Sequence, residues 1–598
     1  MDAGDGKHLW LLDSAGIPAI GAIPIGDGWG ETTMAQYTRR NAWNQGGGFD
    51  NPDLRWYAIG VFAMQQRKLA DPSSWWFFAA IHGQSVQGVT VAPGGQPPDT
   101  FQWGNGFPTP PTVPTSPLPA QNVIDEYWDQ CQHGSWYFPP WHRGYLLALE
   151  AQIRVAVVSH GGPADWALPY WDYISQPNVP PAFTIGVIPG GAGLPGVLPD
   201  GTLNPLFVAP RHGPDFNGAI YVPTEEVVQA NANDPDYANF GPVNEDCLTE
   251  DHYTGDANLL PPGFGGGQTG FSFSGSDTGG LENNPHNLVH VYVGGLVLSQ
   301  DQQTVLQEGY MSDPDFAALD PIFYLHHSNI DRLWAVWNTD PAHTNPSSPE
   351  WTKGPAYQGG RPFVMPMPGG KSWTYTPGDV ASLSQLNYSY EQLAEVTAAP
   401  DRITARLERL GIVARAAEPV PAAPAAGAQV ELVGANSGPL RIIGGGAQTS
   451  VRLDTQVRGK LMASFRTASQ AALPDRVYLK LENVLGLING FVLSVYINLP
   501  QGARPAAHPE LRAGSVGLFG LRNASQVDNK HGGHGLNFVL DITKVVDKLY
   551  VDHGLDTESL QVMVVPHHPV PESAHITIGQ ISIYRGPGLE PQGSSEGR

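Results

Sequence analysis

Cysteine is almost absent from this chain: two in 598 residues, Cys131 and Cys247, too few for a disulfide scaffold. Positive charge is scarce as well. The 32 Lys and Arg face 56 Asp and Glu, giving a formal net charge of -24. Nucleic acid and anionic membrane are therefore poor partners. No apolar run approaches the ~18 residues that suggest a membrane span. The opening Met1-Asp-Ala-Gly-Asp-Gly-Lys-His8 has no basic stretch, twin arginine or apolar leader core, so a cytoplasmic location is expected. No internal repeat is visible.

What is present fits a folded, multidomain protein. Hydrophobic residues make up 41% and aromatics 10%, and the length suits two or three domains with sizeable cores. Gly (71) and Pro (56) together exceed a fifth of the chain, which predicts long loops around a modest helical core.

The chemistry lies in the histidines. His286-Asn-Leu-Val-His290 spaces two imidazoles four apart, one turn of a helix, so both can reach one metal ion. Asp320-Pro321 reads as an N-cap and first helical residue. The helix it opens carries Phe323, His327, Ile330 and Trp334 on one stripe. Upstream, His142 follows Pro139-Pro140 and shares an inner stripe with Leu146, Leu149 and Ile153. His133 precedes it by nine residues, and His82 ends an aromatic run. Imidazole binds copper, zinc, nickel and iron. With no thiolate or carboxylate on the same stripe, redox copper is the reading. A zinc hydrolase would want a carboxylate base beside the first histidine, as in H-E-x-x-H, and position 287 is asparagine.

These blocks resemble the copper-binding signatures of the tyrosinase, catechol oxidase and molluscan haemocyanin family of type-3 dicopper proteins. The resemblance runs through most of residues 30–390 and is strongest at 76–83, 129–150, 281–295 and 320–337. It implies a cofactor of two copper ions, one on His82, His133 and His142 and the other on His286, His290 and His327. His326 is then left for packing, since neighbouring helical residues point about 100° apart. The implied fold is a mainly α four-helix bundle with long loops. The implied partners are small phenols and O2. The implied reactions are monophenol hydroxylation to o-diphenols and o-diphenol oxidation to o-quinones.

Four further residues take roles from the resemblance. Glu282 and Asn287 would hold a water that helps deprotonate a phenol; the plainer reading is that Glu282 favours a helix N-terminus and Asn284-Pro285 caps it. Phe323 aligns with a gate residue over the first copper, or is a core aromatic. Cys131, two before His133, matches a Cys-x-His arrangement with a thioether between sulfur and ring. Its alternatives are a free buried thiol or a disulfide with Cys247.

Along the chain, helices are expected at about 53–68, 121–130, 142–157, 285–293, 321–338 and 390–410. Residues 176–280 read as loops. Tyr388-Ser-Tyr390 resembles a motif closing plant polyphenol oxidase domains, where a ring packs on an N-terminal arginine, here Arg39 or Arg40. The expected division is a dicopper domain at 1–415, a Pro/Ala-rich linker at 416–430, a β-sandwich at 431–590 and a disordered tail at 591–598. Strands are expected at 477–482, 491–498, 536–541, 561–566 and 576–583. This domain resembles the shielding domain of latent family members. Its His531, His534, His567 and His568 read as solvated loop histidines. A catechol or o-aminophenol oxidase without monophenol hydroxylation is the alternative; a haemocyanin-like oxygen carrier would need repeated copper units, which the chain lacks.

Overall fold

The computed structural model describes residues 37–83, 113–255, 263–269, 278–393, 402–411 and 430–586, apart from short gaps at 193, 195–197, 216, 232, 235–236, 238, 469–473, 528–531 and 556–557. The expected linker (all but residue 430), the tail and His531 lie outside the described residues.

Apolar side chains gather in two main cores. One, rich in Trp, Tyr and Phe, lies among the N-terminal helices; the other, almost all Val, Leu and Ile, lies under the C-terminal strands. Helix α1 (Pro52–Gln65) starts where the Asn51 side chain accepts the Asp53 N–H, with Pro52 first in the helix. Ser74 caps α2 (Trp75–His82), a wholly apolar helix until its last residue. After α3 (Gln121–Tyr127), α4 (Phe138–Ser159) begins a turn earlier than the periodicity predicts, with both prolines in its first turn. Gly60 of α1 lets α4 approach, because a Cβ there would stand 2.5 Å from Ile153. Short α5 (Glu225–Ala230) interrupts the loops, followed by α6 (Leu288–Gly294), α7 (Pro314–Ala317) and α8 (Pro321–Trp337). Helix α8 is buried all round, which places it at the centre of the bundle. Asp320 caps it as expected, accepting the Ile322 N–H at 3.0 Å.

Asn284 does not cap the His286 helix. A π-type turn at Glu282–Asn287 precedes α6. The Asn284 side chain instead accepts the Asn244 N–H and donates to the Pro242 carbonyl, satisfying loop backbone that has no regular partner.

Strands Tyr37–Arg39 and Tyr388–Tyr390 pair in parallel. Arg39, fully buried, lies 4.1 Å from the Tyr388 ring, while Arg40 reaches Asp53 nearer the surface. The clasp is more than aromatic stacking. Arg39 also bonds Glu150 at 2.8 Å and Asp331 at 3.0 Å, and Asp331 further accepts from Arg143, Tyr388 and Tyr390. Burial disfavours the Asp331 carboxylate, yet Arg143, Arg39 and the two hydroxyls outweigh it and hold the group below its ordinary range.

The C-terminal domain is one connected, near-barrel sheet. Its strands lie side by side in the order Arg512–Gly517, Val492–Ile497, Ser559–Pro566, Ala447–Leu453, Glu431–Ala435, Thr577–Gly586, Arg476–Leu485 and Leu536–Asp541. Leu440–Arg441 pairs at the side with Thr577–Ile578. The sequence signalled five apolar strands but not Glu431–Ala435, Leu440–Arg441, Arg512–Gly517 or Ala447–Leu453, the last because its outward Gln448, Ser450 and Arg452 dilute the pattern. It also missed helices Thr455–Arg466 and Thr543–Val551. The helix expected at 390–410 covers Arg402–Arg409, and its Arg406 pairs with Asp547 of this domain at 3.0 Å. Among the described residues no helix is long and apolar enough to cross a membrane.

Candidate metal centre

Four segments bring seven histidines together in the first core. His82 ends α2, and His133 sits in the loop before α4. His142 lies in the second turn of α4, His286 in the π-type turn, His290 on α6, and His326 and His327 on α8. They form two buried groups: His82, His133 and His142 with Cys131, and His286, His290 and His327 with His326. Within the groups, ring centres are 5.3–5.8 Å apart in the first set and 4.4–5.5 Å in the second. His142 stacks on His327 at 4.5 Å, so the sets share a border.

Four of the outer ring nitrogens are already engaged. Nδ1 of His82 meets the Pro314 carbonyl at 3.0 Å, that of His142 the Phe138 carbonyl at 2.8 Å and that of His290 the Met311 carbonyl at 2.8 Å. Nδ1 of His286 meets the Asn287 amide oxygen at 2.8 Å. A carbonyl only accepts, so each Nδ1 carries the proton and each Nε2 presents a lone pair. Nε2 of His82 is buried without a hydrogen-bond partner. Nε2 of His327 lies 3.3 Å from Nε2 of both His286 and His290. Converging lone pairs in a dry core need a cation between them.

Burial, reinforced by the neighbouring rings, holds the imidazoles neutral. It pushes His82 and His286 down to about 3, and His142, His290 and His327 well below their ordinary value. Neutral, all-nitrogen, water-excluded donor sets suit copper in both oxidation states. The two groups could hold two copper ions.

Glu282 is buried, and both its oxygens accept the Gly134 N–H at 2.8 Å, tying the His133 loop to the His286 turn. Burial pushes its carboxyl up to about 8. Phe323 stands edge-on to His82 at 4.7 Å and 4.2 Å from His327, inside the core. Cys131 Sγ is 3.5 Å from His133 Nδ1. Cys131 and Cys247 are separate buried thiols, so no disulfide joins them.

One aromatic at the centre escaped the sequence reading. Phe519, from the C-terminal domain, stacks on His290 at 4.1 Å and stands edge-on to His133 and His286 at 5.7 Å each. It follows Gly517, where a Cβ would stand 2.7 Å from the Asn287 carbonyl, and precedes Gly520 at φ +81°. Those two glycines were the available signal, and they mark a close approach without saying to what. His567 is also not solvated: it is buried beside Phe240 and Tyr292, where the two domains meet.

Residues 72–340 match the common central domain of tyrosinase, and residues 429–586 match a domain of unknown function, DUF7868. Over 554 residues the chain is 29% identical to the tyrosinase HcTyr1 of Hahella sp. (strain CCB-MM4), covering 92% of this chain and 99% of that one. A stretch of 216 residues, 35% of the chain, is 27% identical to Hemocyanin 1 of Megathura crenulata, of which it covers 5%. The fold resembles that of latent apple tyrosinase, with a TM-score of 0.51 at 19% identity over 94% of this chain and 99% of the other. Through residues 72–340 the chain carries the common central domain of tyrosinase, and over nearly its whole length it is similar to a tyrosinase.

Proposed function

We propose that the chain is a polyphenol oxidase of the tyrosinase type, using O2 to hydroxylate monophenols to o-diphenols and to oxidise o-diphenols to o-quinones. The observation that carries this reading is the pair of buried histidine sets with Nε2 lone pairs turned inward. His82, His133 and His142 would hold one copper, and His286, His290 and His327 the other. Bound copper supplies dioxygen binding and two-electron chemistry. The chain's own groups do the rest. The Asn287 amide fixes the His286 tautomer, and aromatic walls exclude water. The Glu282 carboxyl, pushed up by burial, would be drawn back down by two bound cations and so suited to take the phenol proton through a water. Phe323 packs against His82 and His327, a position consistent with limiting how a ring enters. The short approach of Cys131 to His133 supports a thioether, formed with loss of two hydrogens to dioxygen.

In this reading residues 1–415 are the oxidase, 416–430 the linker, 431–590 a shield and 591–598 a tail. Phe519 over His290 supports the shield, because it occupies space an aromatic substrate would need. One observation favours a second reading, an o-diphenol or o-aminophenol oxidase without hydroxylase activity: both Glu282 oxygens are engaged by Gly134, which is a structural use.

Oxygen uptake by the copper-loaded chain with phenol and with catechol, before and after cleavage between 412 and 429, decides among these. Uptake with both, rising on cleavage, is expected. Uptake with catechol alone selects the second reading, and oxygen binding without turnover in either form overturns both.

A further inference from the structure

Phe519 is held in place from behind. Arg522 lies three residues on, in the short turn of helix Leu521–Ala524. Its guanidinium reaches across the domain boundary to two carboxylates of the dicopper domain. It bonds Asp313 Oδ2 at 2.6 Å and also Glu308 Oε2, while Nε donates to the Leu487 carbonyl at 2.9 Å. Glu308 Oε1 in turn accepts the N–H groups of Asn489 and Gly490 at 2.6 and 2.7 Å. The Arg522 N–H donates to Asn489 Oδ1 at 2.9 Å. All three charged side chains are buried, Glu308 and Asp313 to 1% exposure.

The gripped segment also orients the histidines. Asp313 lies between Met311, whose carbonyl takes the His290 Nδ1–H, and Pro314, whose carbonyl takes the His82 Nδ1–H. Two carboxylates against one guanidinium make a buried group that is stable only while the arginine stays. Directional, forked hydrogen bonds also set the angle at which the Phe519 loop arrives, which apolar packing alone would leave loose.

We propose that the Arg522–Glu308–Asp313 ion triad is the latch of the shield: it keeps Phe519 on His290, and breaking it opens the uncut chain to phenols. The proposal rests on the reading of the C-terminal domain as a shield. It makes the closed state depend on a buried charge contact as well as on an intact linker.

The test uses the full-length, copper-loaded chain as wild type, Arg522→Gln, Glu308→Gln and Phe519→Ala. Catechol oxidation by the uncut protein is measured first. Each is then cleaved between 412 and 429, and the fragments are followed by size exclusion. Arg522→Gln, which leaves two buried carboxylates unpaired, and Glu308→Gln, whose amide NH2 would face the Arg522 guanidinium where an acceptor stood, are expected to raise uncut turnover at least ~10-fold. Their cleaved fragments are expected to separate more readily than those of the wild type. Turnover as low as wild type together with co-eluting fragments, in an otherwise active Phe519→Ala background, overturns the latch. If Phe519→Ala and removal of the C-terminal fragment both leave turnover unchanged, the shield reading fails instead, and the elution result still judges the triad. Should Arg522→Gln not fold, Glu308→Gln decides, since its amide oxygen still accepts from Asn489 and Gly490.

Discussion

The two domains bury their interiors in opposite ways. The dicopper core hides charge and large aromatics: Arg39, Arg143, Arg154, Glu150 and Asp331 in one network, Arg211 against Asp320, and tryptophans such as Trp75, Trp141 and Trp334 fully covered. The C-terminal core is Val, Leu and Ile with few buried charges, Arg406–Asp547 and Arg522 at its margins. Aliphatic burial is non-directional: it stabilises a shape without fixing angles. Ion pairs and hydrogen bonds fix angles, at a desolvation cost. Two groups of imidazoles, each drawn together around one point, need the second kind of core. A sheet that presents one phenylalanine and one arginine manages with the first.

This contrast can be pressed by mutation. The largest effect is expected at a ligand. Second-layer changes alone cost metal sites ~10–100-fold, so His290→Ala is expected to lose more than ~100-fold in catechol turnover. Copper per chain should fall toward half, read by atomic absorption. Full copper content in that variant breaks the proposed ligand set.

Next comes Asp331→Asn, which leaves Arg39 and Arg143 without their shared anion and should cost ~3–5 kcal/mol in thermal or denaturant unfolding of the dicopper domain. The sign with pH follows from its depressed carboxyl. The stabilisation is complete above the unfolded value near ~3.9 and is lost as pH falls through the lower folded value. The variant should lack that acid-side loss, and an unchanged acid limb refutes the assignment.

Tyr388→Phe removes one hydroxyl from the same carboxylate and is expected to cost ~1.5–3 kcal/mol, the range for hydrogen bonds to charged groups. Weaker copper retention should accompany it. The smallest effect is expected from Ile581→Val in the sheet core, ~0.5–1.5 kcal/mol, with copper content and cleaved-enzyme turnover unchanged. If Ile581→Val disturbs copper as much as Tyr388→Phe, the two cores do not differ in kind.

Much of the dicopper half was legible in order along the chain. The i, i+4 spacing of His286 and His290, the Asp320-Pro321 start and the stripe through His327 are local, because helical periodicity and capping are set within a few residues. A pairing of Tyr388-Ser-Tyr390 with Arg39 or Arg40 was readable, although which arginine takes part and the Asp331 network behind it were not. The strands of the second domain with long apolar runs were legible. Polar-edged Ala447–Leu453 was not, since its inner residues gain their meaning only from neighbours.

The sequence by itself determined the helices around His142, His290 and His327 and a second, strand-rich domain. Only the tertiary structure decided which groups face each other across distance. Asn284 serves a loop instead of a helix end, and His567 is sealed between domains instead of solvated. Phe519 lies on His290, and Arg522 bridges Glu308 and Asp313. These contacts span 209 residues or more for Arg522. No local propensity encodes such a meeting; it follows from how two cores of different chemistry come to share one boundary.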